Sequence, residues 1–245
     1  MKVRIKKIVS LALALVFVLS ATNSVMAAQS SYKMLNVPYD NQCGVESGCE
    51  AVSSTMLLRY YGYRVDKRSF ARNTLIKGNW YVDSRGQMYG PDPNAAYVGD
   101  PFKVSGSNCG FGCYANATAK SINKFLGNRA AYKAVVTSGK SLNQLVNDYI
   151  NKNMPVLVWA TMGMSRSYPS CSWIINYTDG SSGLKVGDRY TWTANEHCLV
   201  LVGYDRDRYY FNDPYKNRGR VSFSKGLVEQ RFRELKNQSV VMVRR

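Results

Sequence analysis

The sequence predicts an α+β domain, with N-terminal helices packed on a C-terminal antiparallel β-sheet. Two observations carry this. Between residues 49 and 152 apolar residues recur at helical spacing, and beyond residue 155 short apolar runs of strand length take over. A third observation removes the main alternative: with 45% hydrophobic and 12% aromatic residues, the 245-residue chain is too apolar to be disordered.

Taken in order, residues 1–20 are the only stretch apolar enough for a membrane. Lys2, Arg4, Lys6 and Lys7 precede an apolar run from Ile8 to Leu19, and a polar stretch ends in Val25-Met26-Ala27. That three-part pattern predicts a secretory signal peptide over residues 1–27, cut after a small residue. The run is shorter than the roughly 18–20 residues of a spanning helix, so no membrane span is expected after cleavage. No repeat, low-complexity tract or linker divides the remainder. Residues 28–245 are therefore read as one domain, loose over 28–33, with its motif-bearing part at 34–243.

Residues 34–39 look extended and stop at Pro38, and 41–48 form a glycine-bearing loop. Val52, Met56 and Tyr60 are four apart, which predicts a helix over 49–61 with Gly62 as its stop. A short helix at 67–75 is followed by a long loop holding Gly86, Gly90, Pro91, Pro93, Gly99 and Pro101, a length that suggests the wall of a site. Residues 114–126, ended by Gly127, form the next helix. Residues 141–152 form another, with Ser141 and Gln144 at capping-box spacing. Strands are expected at 155–161, 198–204 and 209–212, then a helix at 227–235 and a strand at 239–243.

His197 is the only histidine, so chemistry that needs an imidazole has one candidate. The strand after it turns at 205–208 and returns to Asp213. A hairpin folded about Asp205 would face 197 with 213, near enough for the carboxylate to hold the ring. Cys49 would open the first helix, where unpaired N–H groups and the macrodipole favour an anion and lower a thiol pKa. Gln42, in the preceding loop, could offer an N–H to an oxyanion. Thiol, imidazole and carboxylate together make a nucleophile activated by a base that a third group orients. Taken singly, each has an ordinary alternative: a disulfide for Cys49, a packed histidine, a turn-opening Asp before Pro214, a solvated glutamine.

Further motifs narrow the reading. LNVPYDNQ over 35–42, GCEAVS over 48–53 and YYG over 60–62 come first; PDPNAAYVGDP over 91–101, GFGCY over 110–114, EHCLVLVGYD over 196–205 and YFNDPY over 210–215 follow. In this order they resemble the double-glycine (bacteriocin-processing) leader peptidase-like family, which has a papain-type cysteine peptidase fold. The resemblance spans nearly the whole chain after residue 34. It implies Cys49 as nucleophile, His197 as base, Asp213 as orienting carboxylate and Gln42 in the oxyanion hole. No zinc-ligand spacing appears and the chain has one His, so no metal or cofactor is expected. The founding members are intracellular domains of peptide exporters, whereas this chain carries an export signal and no transporter, so the resemblance supplies no substrate.

The expected activity is hydrolysis of a peptide or isopeptide bond in a peptide or protein substrate through an acyl-enzyme. The alternatives are an acyltransferase or amidase using the same thiol, or a non-catalytic papain-fold module. The 33 Lys and Arg against 16 Asp and Glu give +17, and loss of four positive charges with residues 1–27 leaves +13. These charges are dispersed, with no helical basic stripe, so no nucleic acid partner is expected. The expectation is a secreted monomer that can associate electrostatically with an anionic cell envelope. Six cysteines in an exported chain suggest disulfides by default. Catalysis needs Cys49 free, and Cys198 on an apolar strand is its expected companion thiol. Cys43, Cys109, Cys113 and Cys171 then allow three pairings, of which Cys109–Cys113 with Cys43–Cys171 is the more attractive; the latter would tie the loop before Cys49 to a loop over 165–173.

Overall fold

The computed structural model describes residues 32–245. The boundary at residue 27 and most of the loose start lie outside the described residues. Among the described residues five α-helices form: α1 (Cys49–Tyr60), α2 (Lys67–Ser69), α3 (Ala115–Leu126), α4 (Leu142–Asp148) and α5 (Lys225–Glu234). The strands are β1 (Lys33–Met34), β2 (Lys77–Gly78), β3 (Tyr81–Val82), β4 (Met88–Pro91), β5 (Tyr97–Val98), β6 (Tyr132–Val136), β7 (Val156–Thr161), β8 (Tyr168–Tyr177), β9 (Arg189–Ala194), β10 (Glu196–Tyr204), β11 (Arg208–Asp213), β12 (Gly219–Ser224) and β13 (Ser239–Arg244).

The main sheet runs β12-β11-β10-β7-β13-β6, antiparallel throughout, with β1 added to β10. Its central strands β7 and β10 are buried along their whole length, as their unbroken apolar runs require. Helix α1 packs on β10 and is buried from Cys49 to Leu58. A helix buried on every side needs its polar groups satisfied. Ser53 Oγ accordingly donates to the Cys198 carbonyl at 2.9 Å, tying α1 to β10 next to His197. Helix α4 opens with both bonds of the capping box between Ser141 and Gln144.

Helices before strands and the antiparallel sheet agree with the α+β reading. Three expectations need correction. Residues 67–75 form one α turn that continues as a π turn over Phe70–Thr74. The long loop contains short strands, and β3 and β4 join β8 and β9 in a second sheet of order β3-β4-β8-β9. Residues 165–173, expected as a loop, lie largely in β8, whose first residues, Tyr168, Pro169 and Ser170, are exposed and without apolar alternation. Strands β6, β9 and β12 have no counterpart in the sequence reading either.

Candidate active site

Helix α1 begins where the chain has no room for a longer side chain. Gly48 caps it, and a Cβ there would stand 2.6 Å from Val45 Cγ1. The approach loop is built from Val45 N–H to the Gln42 carbonyl at 2.8 Å and Gly48 N–H to the Val45 carbonyl at 2.9 Å. Cys49 is thus the first helical residue, 5% exposed. Its sulfur receives the Cys198 N–H at 3.4 Å and donates to Glu50 Oε2 at 3.4 Å. The first contact sets the nucleophile candidate against the residue next to His197.

His197 and Asp213 meet as the hairpin argument expects, with a change of register. Val200 pairs with Asn212, and the ladder slips between Leu201 and Gly203. Asp213 is therefore one step along from that pair, diagonal to His197 rather than directly opposite. Diagonal neighbours on one face are still within reach of long side chains. His197 Nε2 lies 2.7 Å from Asp213 Oδ1, with both side chains buried. Asp213 Oδ1 also accepts the Tyr215 N–H at 2.9 Å, and Arg218 Nη1 stands 3.6 Å from Oδ2. Burial works against the Asp213 charge, but the His197 bond and charge, the Tyr215 N–H and Arg218 outweigh it and hold the carboxyl below its ordinary value. The Tyr215 ring packs edge-on to His197, with Arg218 over its face. With Nε2 committed to Asp213, Nδ1 is the nitrogen left for proton transfer.

Gln42 is carried to the same end of the hairpin by the N-terminal segment. Leu35 N–H bonds the Val202 carbonyl at 2.7 Å, Asn212 Nδ2 the Val37 carbonyl at 3.0 Å, and Gln42 N–H the Pro214 carbonyl at 2.8 Å. Asp40, just before, is clamped by Arg59 and Lys67 at 2.8 Å each. The Gln42 side chain is buried; Nε2 donates to the Glu46 carbonyl at 2.7 Å, which leaves its second N–H unused, and Oε1 has no partner.

One electrostatic expectation is overturned. The helix N-terminus was expected to lower the Cys49 pKa, yet burial pushes the thiol up, and Glu50, Glu196 and Cys198 push it further against the opposing Cys198 N–H. No hydrogen bond joins Cys49 to His197 in this resting geometry. The two glutamates were missed by sequence reading, although a signal existed. Each is the lone acid of a buried apolar stretch, one flanking Cys49 and the other flanking His197.

The favoured disulfides do not form: all six cysteines are free. Cys113 is fully buried, with its N–H on Glu50 and its sulfur against Thr118 at 3.4 Å, whereas the Cys109 carbonyl accepts the Trp80 indole N–H. Cys43 is exposed, with its N–H on Asn41. Cys198 is buried, as expected of a companion thiol. A cavity of about 440 Å³, lined in part by Tyr114, Tyr190, Thr193 and Gln238, does not border Cys49, His197 or Asp213.

An uncharacterized protein of Bacillus subtilis, YvpB, is 30% identical over 230 residues, covering 91% of this chain and 81% of its own. The crystal structure of a Bacillus anthracis protein named as C39-like peptidase superposes with a TM-score of 0.71 at 27% identity, covering 87% of this chain and 98% of that one. The peptidase domain of the Streptococcus ABC transporter ComA is a more distant likeness, with a TM-score of 0.46 at 9% identity over 85% and 99% of the two chains. The fold is that of the papain-like C39 peptidases. A family profile matches residues 34–240, and the chain belongs to the Peptidase_C39 like family.

Proposed function

We propose that the protein is a secreted cysteine peptidase that cleaves a peptide or isopeptide bond through a Cys49 acyl-enzyme. The observation that carries this reading is the buried 2.7 Å bond from His197 Nε2 to Asp213, beside a thiol held by the N–H of the next residue, Cys198. Rotation of the Cys49 side chain from Glu50 toward the ring lets Nδ1 take the thiol proton. The thiolate then adds to the substrate carbonyl. The oxyanion is received by the Cys49 N–H at the start of α1 and the free N–H of Gln42 Nε2. The imidazolium, held in place by Asp213, gives its proton to the leaving amine, and water admitted by the same base releases the acid.

The export signal and the basic surface support action outside the cell, near anionic envelope polymers. An acyl-enzyme can also pass to an amine acceptor, so the experiment must read products. Purified protein is incubated with peptides, cross-linked wall fragments and an excess of amine, and the products are resolved by mass spectrometry. New carboxyl and amino ends in wild type, absent in Cys49→Ala, are expected. Amine-capped products in place of free acids would make the protein a transferase, and no product from any mixture would reject the catalytic reading.

A further inference from the structure

Glu50 follows Cys49 and Glu196 precedes His197 in sequence, and the fold brings their carboxyls together under the nucleophile. Glu50 is fully buried and Glu196 is 7% exposed. The Cys49 sulfur and one oxygen of each carboxyl all lie within 4.8 Å of one another. Glu50 Oε1 accepts the Cys113 N–H at 2.6 Å and Oε2 the Cys49 thiol, while Glu196 Oε1 has no partner at all. Among the described residues no Lys or Arg is paired with either carboxyl. The Gly112 backbone closes over both: a Cβ there would stand 2.7 Å from Glu50 Oε1 and 2.8 Å from Glu196 Oε2. Two carboxylates without a cation cannot both stay ionised in so dry a place, and a shared proton relieves the repulsion.

We infer that Glu50 and Glu196 share a proton beneath the nucleophile, and that the negative charge left on the pair when it ionises keeps Cys49 a thiol, turned toward Glu50 and away from His197. The inference rests on Cys49 being the nucleophile. Burial raises Glu50 to about 7, and burial together with the Glu50 charge raises Glu196 well above its ordinary value. Below about pH 7 the pair is neutral, and a thiolate at Cys49 faces two carboxylic acids able to donate to it. Above that pH a carboxylate holds the thiol proton and repels the thiolate. The other titratable groups facing the pair are the thiols of Cys113 and Cys198 and the phenols of Tyr97, Tyr114 and Tyr190. Burial raises all five, so they stay neutral across this range. His197 and, behind it, Asp213 are the titratable groups on the imidazole side of the thiol.

The test is the rate of Cys49 alkylation by iodoacetamide from pH 5 to 9, read at each cysteine by mass spectrometry. Wild type, Glu50→Gln and His197→Ala are compared; glutamine keeps the shape and an acceptor for the Cys113 N–H. Cys49 in Glu50→Gln is expected to label at least tenfold faster than wild type at pH 8, with the gap closing below pH 6. Equal rates at every pH in a natively folded variant overturn the inference. His197→Ala separates this from the functional reading: unchanged Cys49 labelling there would remove the imidazole's role, yet leave the Glu50→Gln comparison meaningful. If Glu50→Gln does not fold, the infrared carbonyl band of a protonated carboxylic acid decides on wild type. The band is expected at pH 6 and should weaken, as Glu50 ionises and one proton stays shared, by pH 9; its absence at pH 6, or a stoichiometric divalent cation in the purified protein, overturns the pair.

Discussion

At Cys49 the helix terminus favours an anion, whereas burial first and the neighbouring acids second favour the neutral thiol, and burial prevails at rest. Sequence alone revealed the first influence, because glycine before a helical run is a local signal. The second needed the fold, since Glu50 and Glu196 are far apart in the chain. The His197–Asp213 pair was legible because a hairpin places two residues by counting, although a slip near Gly203 makes them diagonal. Its roles give two predictions. His197→Ala should abolish hydrolysis, Asp213→Ala should leave a small residue, and the Cys49/His197 double variant should be scarcely worse than either single one, because the groups act as a unit. Hydrolysis rates in purified variants check this, and wild-type activity in His197→Ala contradicts it. Gln42→Ala should lower kcat by about 10²–10³ if its free N–H serves the oxyanion. An unchanged kcat would reduce Gln42 to a loop anchor on Glu46.

Elements with punctuation were readable, and elements without it were not. Helices α1 and α3 carry apolar spacing and a glycine stop, and β7, β10 and β13 are continuous apolar runs. The β8–β9 hairpin begins with Tyr168-Pro-Ser-Cys-Ser, which resembles a loop; pairing with β9 fixes that segment as strand, while β4 pairs in parallel with the later residues Ile174 to Tyr177. Between these elements Gly112, bridged to Val98, has a job no sequence signal announced. At φ +139° it disfavours a side chain, and the space above it is filled by Glu50, Glu196 and Trp192. Gly112→Ala should cost about 1–3 kcal/mol through backbone strain and displace the acids beside Cys49. Chemical denaturation measures the first effect, and wild-type stability would show that the backbone at Gly112 has slack.

Over the whole molecule, the same buried groups make stability depend on pH. Glu50 is raised to about 7 by burial, so between its ordinary carboxyl range and that value the folded state binds more protons than the unfolded chain. Stability should therefore fall as pH rises across that window, by up to about 3 kcal/mol from Glu50, and Glu196, raised well above its ordinary value, extends the fall to higher pH. Asp213 acts with the opposite sign: its folded pKa is depressed, so its contribution is present at neutral pH and is lost only as pH falls below its ordinary value. Denaturant midpoints at pH 5 and pH 8 should differ in wild type and differ less in Glu50→Gln. An identical pH dependence in both proteins would remove Glu50 from the balance.

The central claim is that one thiol carries the chemistry. The most direct measurement is peptide mapping of the protein after incubation with a peptide electrophile, alongside hydrolysis of the matching peptide by wild type and Cys49→Ala. The account predicts a single adduct on Cys49, slowed in His197→Ala, and no hydrolysis in Cys49→Ala. An adduct confined to another cysteine, or hydrolysis that survives Cys49→Ala, would contradict it.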